Sequence, residues 1–192
     1  MMRQIAATVF TLGFCVLAPG AQAQVSRSAD ALSKQLFGKT AEVRSGAACY
    51  KRVYDLRHLA GHPQQNVSAM VLLVSKGVSN AEGYAVHMGV KFRGRKTQFE
   101  SGGYCGGGAG LSCGVECDGG HIDVSIRDRN SVLVKIPAGA RLWQPGDQED
   151  DPNSRKKFGA DDKVFRVERT SLADCLPIVH EAEERAKLRK LR

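Results

Sequence analysis

Residues 96–137 read KTQFESGGYCGGGAGLSCGVECDGGHIDVSIRDRNSVLVKIP, and apolar side chains recur there at every second position between glycine-bearing bends. Phe99, Ser101 and Cys105 share one parity. Leu111, Cys113, Val115 and Cys117 share the next, then Ile122, Val124 and Ile126, then Val132, Val134 and Ile136. A period of two is the signature of strands with one buried face. Just upstream, Val86, Met88, Val90 and Phe92 alternate with His87, Gly89, Lys91 and Arg93 in the same way.

The bends test this reading, because register must keep every apolar set on one side of the sheet. Gly94-Arg95 as a two-residue loop pairs Val90 with Phe99, with Gly94 at the first central position of a type II′ turn. Gly119-Gly120 as a two-residue loop pairs Cys117 with Ile122 and Val115 with Val124. A three-residue loop Asp128-Arg129-Asn130 pairs Ile126 with Val132, with Asn130 left-handed. All three keep the parity, whereas the Gly106–Gly110 connection has no fixed register. The fold expected is all-β: an antiparallel meander of about seven to nine strands. It closes most economically into a small up-and-down barrel, which removes exposed edges. A two-sheet sandwich is the alternative.

Outward from this core, residues 1–23 read as a secretory signal: Arg3, an apolar run from Ile5 to Ala18, and an Ala21-Gln22-Ala23 cleavage site. The run is too short to span a membrane, which takes about 20 apolar residues. Residues 24–48 are polar and read as a flexible arm in which Ser28–Phe37 suits a short helix. The β domain is expected over 49–175. Within it Cys49–Leu59 suits a strand, Gly61-His62-Pro63 marks a turn, Val67–Val74 is apolar enough for a strand buried on both faces, and Val164–Arg169 suits a closing strand. Gln144–Asp162 is a long charged loop. Residues 176–192 form a helical tail opened by Pro177, its acids toward the start and its bases toward the end. A solvated tail is the expectation there.

Cys15 leaves with the signal, and five cysteines remain. Export favours disulfides. Cys49 and Cys175 bracket the domain and suit a clasp. Cys113 and Cys117 lie about 13 Å apart along one strand, so they do not bond each other. Cys105 with Cys113 as a disulfide, and Cys117 as a free thiol, is the expected arrangement. Zinc on Cys105, Cys113, Cys117 and His121 is the chemical rival, but no C-x-x-C spacing occurs, so no metal and no cofactor is assigned. A catalytic role for Cys117 needs a neighbouring base that no local spacing supplies. His58 and His62 stand at i, i+4 without the glutamate of H-E-x-x-H.

The chain carries +8, and +7 without Arg3. That charge is spread out, which argues against dedicated nucleic-acid binding. Locally, Lys91, Arg93, Arg95 and Lys96 crowd one hairpin tip, and Arg155-Lys156-Lys157 form a second group. Arg93, Arg95 and Lys96 are the candidate partner-binding residues, set to meet an anionic envelope component. A small apolar ligand inside the barrel is the other candidate partner.

Three segments carry a resemblance: Cys49-Tyr50-Lys51-Arg52-Val53-Tyr54-Asp55, His58-Leu59-Ala60-Gly61-His62-Pro63-Gln64, and Leu111 to Gly120. Together they resemble a group of small, uncharacterised exported proteins of Gram-negative bacteria. The resemblance implies a periplasmic setting and no particular activity. The function expected is a non-enzymatic β-barrel binding module; the alternative is a thiol- or metal-dependent enzyme centred on Cys117.

Overall fold

The computed structural model describes residues 31–38, 45–79, 83–115, 118–144 and 157–191. The expected signal over 1–23, Cys117 and the acidic run 147–151 lie outside them. Eight antiparallel strands close into one barrel in sequence order. They are β1 (Gly46–Val53), β2 (Val67–Lys76), β3 (Tyr84–Phe92), β4 (Gln98–Gly107), β5 (Leu111–Val115), β6 (His121–Asp128), β7 (Ser131–Lys135) and β8 (Val164–Thr170). Closure comes from β8 pairing with β1, Cys49 opposite Thr170 and Lys51 opposite Glu168. The barrel, not the sandwich, is the architecture.

The described members of the alternating apolar sets point inward. Tyr50, Leu72, Met88, Val90, Cys113, Ile122, Val124, Val134 and Phe165 are each at most 2 % exposed and belong to one core. Residues 31–37 form a helix, α1, within the stretch expected as an arm. Leu32 and Leu36 enter the same core, Ser33 Oγ lies 2.6 Å from the Tyr84 hydroxyl, and Gly38 ends the helix at φ +85°. The Arg169 guanidinium donates to the Leu36 carbonyl at 2.6 Å and to the Tyr50 hydroxyl at 3.0 Å, tying α1 to the wall. The far end is filled by Ile136, Ala140, Leu142 and Phe158.

The bends differ from expectation in detail while the parity survives. Val90 does face Phe99, but the Arg95 N–H donates to the Phe92 carbonyl, so Gly94 is the second central residue of its turn, at φ +69°. Cys105 lies directly opposite Cys113. The β5–β6 pairing is displaced by four residues: Ile122 faces Cys113 and Val124 faces Leu111. An even displacement leaves every side chain on its face. The β5–β6 connection is closed further along than a two-residue loop: the Val115 N–H donates to the Gly120 carbonyl and the Gly119 N–H to the Val115 carbonyl, while Gly120 also pairs with Ala140 and the Arg141 N–H donates to Gly119 O. Ile126 faces Val132 as expected, but Asp128 pairs with Ser131. The Asp128 carboxylate accepts from the Asn130 N–H and the Ser131 hydroxyl, which forms the bend without a left-handed Asn130.

A second, smaller core lies outside the barrel. Cys49, Val71 and Leu73 face outward from β1 and β2 and meet Cys175, Ile178, Val179 and Leu188. Two short 3-10 turns, Leu172–Asp174 and Leu176–Ile178, lead into α3 (Ala182–Lys190). The tail is therefore a packed strap rather than a solvated helix. Its helix starts five residues after Pro177, because Val179 is needed in the outer core in extended form. This strap is also what makes β2 apolar on both faces.

Candidate functional site

The hairpin tip that the sequence marks as basic borders a groove of about 840 Å³. Its floor is Val53, Tyr54, Leu56, Leu59, Ala60 and Ala69, and its edge is Lys91, Arg93, Gly94, Arg95 and Lys96. Leu56 is 87 % and Val53 64 % exposed, unusual values for large aliphatic side chains. Val53 ends β1, and Leu56 opens a short helix, α2 (Leu56–Gly61), where a strand running to Leu59 and then a turn were expected. Asp55 caps it by accepting from the His58 N–H at 2.7 Å. Pro63 follows the helix instead of preventing it, since His62 is already the C-cap. His58 stacks between Tyr54 and His62, with centroids at 4.7 and 4.5 Å. Burial beside Glu168 and Asp162 outweighs the nearby Arg52 cation and pushes the Tyr54 phenol up to about 12, so it stays a neutral part of the groove.

The three predicted partner residues divide into two roles. The Arg93 guanidinium donates to the carbonyls of Leu59 at 2.7 Å and His62 at 2.6 Å, pinning the C-terminal end of α2 to the hairpin. Arg95 and Lys96 are exposed at the edge, with Lys91 beside them. Of the second basic group, 155 and 156 lie outside the described residues, and Lys157 sits 5.1 Å over the Phe99 ring.

Other sequence candidates come out as follows. Cys49 is bonded to Cys175 and Cys105 to Cys113. Cys117, the expected free thiol, lies outside the described residues. The zinc set is not assembled, since two of its thiols are spent in a disulfide. No three His, Cys, Asp or Glu side chains among the described residues group to hold a metal ion. The barrel interior is packed with side chains, so the groove outside it, not the lumen, is the concave apolar surface on offer. A small apolar ligand in the lumen is set aside on that ground.

A Ser112–His121–Asp123 cluster on the outer wall resembles a hydrolytic triad in composition only. Ser112 Oγ and Asp123 Oδ1 approach the same ring atom, His121 Nε2, at 2.7 and 3.0 Å, and they also bond each other at 3.1 Å. A relay needs the serine and the carboxylate on opposite imidazole nitrogens.

Sequence reasoning missed a second concavity, between the strap and the outer faces of β3 and β4. Here His87 Nε2 lies 3.1 Å from Glu184 Oε1, and His180 Nε2 lies 2.6 Å from Glu100 Oε2. Each pair joins the wall to the strap, once with the histidine on the wall and once with it on the strap. The signal available was the outward parity of His87 and Glu100 beside a strand, β2, that needed a cover.

Fold and site together define a filled, disulfide-bonded, eight-stranded antiparallel β-barrel of mixed-charge surface with two external concavities. Compared with family models, curated proteins and solved structures, the chain finds no match. Two disulfides point to an oxidising, non-cytoplasmic setting. No helix among the described residues is long and apolar enough to cross a membrane.

Proposed function

We propose that the protein is a non-enzymatic, periplasmic or secreted binding module that docks reversibly on anionic lipid headgroups through the groove at the β3–β4 tip. The observation that carries this is the juxtaposition of Leu56 and Val53, both solvent-exposed, with Lys91, Arg95 and Lys96. Beside three cations these two side chains form an amphipathic edge: aliphatic side chains enter the acyl boundary while ammonium and guanidinium groups meet phosphates. Each basic residue contributes about 1 kcal/mol near an anionic leaflet. Burying one leucine side chain contributes about 1.5–3 kcal/mol. Together these suffice for weak, salt-sensitive association and not for permanent anchoring.

Co-sedimentation with phosphatidylglycerol vesicles tests the reading, with phosphatidylcholine vesicles as the control. The anionic vesicles should carry the protein down at low salt. The double change Arg95→Glu with Lys96→Glu should leave it in the supernatant, as should Leu56→Asp. Equal sedimentation with both vesicle types, or none with either, would discard the proposal. Arg93 is not a suitable test residue, because its loss frees α2 as well as removing a charge.

A further inference from the structure

The cleft between strap and wall encloses about 570 Å³, within the range of small-molecule sites. Its lining includes Trp143, Tyr104, His87, His180, Glu181 and Glu184. We infer that this cleft binds an organic cation, a primary or quaternary ammonium group on a small molecule or on a basic side chain. Different residues and a different wall carry this inference from those that carry the lipid-docking reading.

Three observations converge. The first is an aromatic surface. Trp143 exchanges two backbone hydrogen bonds with Glu100, at 2.8 and 2.9 Å, which anchor its main chain beside β4, and its side chain lines the cleft. Tyr104, on the outward face of β4, is 54 % exposed. The faces of such rings attract cations. The second is a bare wall beside the indole. Even a methyl group at Gly102 would sit 3.8 Å from Trp143 Cη2 and only 2.9 Å from the Val86 carbonyl oxygen, so no side chain covers the ring from that position.

The third is charge. In a chain of net +8, carboxylates outnumber fixed cations among the described residues here: Glu181, Glu183 and Glu184 line the cleft against Arg141, and the nearly buried Glu100 lies behind His180. Lys187 engages Glu183 at 2.9 Å. Glu184 and Glu100 are only 5 % and 3 % exposed and are oriented by their histidines. Glu181 is exposed at the mouth, free to meet an incoming cation. An anion would face this field unfavourably, and a neutral sugar would use the rings but not the charge.

Trp143 is the only tryptophan in the chain, so intrinsic fluorescence reads the cleft directly. The full disulfide-bonded protein is titrated with choline and with cadaverine, then with 3,3-dimethylbutanol as the neutral isostere of choline, and with N-acetylglucosamine. A saturable change with the two cations and none with the neutral compounds is expected. Tyr104→Ala should weaken binding about fivefold, the size of one exposed cation–π contact. Glu181→Lys should weaken it by about tenfold or more, replacing attraction by repulsion at short range. Both positions are exposed, and an unchanged thermal midpoint checks that the variants fold. No saturable response to either cation overturns the inference, as does an equal response to the neutral isostere or to N-acetylglucosamine.

Discussion

Asp162 is the residue on which the far end of the barrel turns. It is fully buried, and its carboxylate accepts from the backbone N–H groups of Gly159 at 2.8 Å, Asn66 at 2.9 Å and Val67 at 3.2 Å. Burial raises its carboxyl above the ordinary aspartate value, and the three N–H donors only partly offset that. Because the folded chain holds this proton more tightly than the unfolded chain, the group contributes most below the unfolded value. Its contribution declines as pH rises toward the folded one. Asp162→Ala should therefore lower unfolding free energy by about 2–4 kcal/mol by orphaning buried donors. The deficit should be larger in acid than at neutrality, as urea titrations at several pH values would show. Asp174 behaves oppositely. The Thr170 hydroxyl and then the Lys51 ammonium lower its carboxyl, so what it contributes is present above the unfolded value and lost as pH falls through the folded one. Asp174→Asn should flatten the acid limb of the same stability profile.

At the scale of elements, α1, α2 and the strap are the parts that a strand-counting reading handles least well, and each has a physical reason. Helix α2 is a single capped turn and half, too short for a helical period to show. The strap carries few apolar residues, but Ile178, Val179 and Leu188 are spaced by an extended stretch and a helix, so no single period reveals their common face. Helix α1 was visible as a possible helix, yet its packing depends on Leu32 and Leu36 finding the barrel mouth. Leu36→Ala should cost about 2–4 kcal/mol by chemical denaturation; no change would mean that α1 does not close the barrel. The Cys49–Cys175 bond closes a separation of 126 residues and ties the strap to β1. Replacing both cysteines by serine should cost about 2–5 kcal/mol. It should also expose the strap preferentially, read as faster amide exchange over 176–191 than in β2.

For the molecule as a whole, the barrel was legible because it rests on parity, and parity is insensitive to even errors of register. The β5–β6 pairing shows this: displaced by four from the expected Gly119-Gly120 hairpin, it still buries Cys113 with Ile122. Turn geometry was less legible, since glycine-rich bends permit several closures, and the one adopted between β5 and β6 also bonds to residues 140 and 141, which local sequence does not reveal. The basic tip was visible as charge, but not the division of labour within it. Only the carbonyls of Leu59 and His62, brought over by α2, assign Arg93 to structure, while Arg95 and Lys96 stay exposed at the groove edge. The strap cleft was invisible because its four key side chains lie on β3, β4 and the tail, up to 97 residues apart.

The proposed lipid docking makes one claim above the others: contact with anionic lipid is confined to the groove at the β3–β4 tip. Amide chemical-shift mapping during titration with anionic lipid bicelles tests it most directly. Perturbations should cluster at 53–60 and 91–96 and weaken strongly in 0.5 M salt, where the screening length is about twofold shorter than at physiological strength. Perturbations spread through inward-facing Leu72, Val90 and Val134 with the groove silent would contradict it.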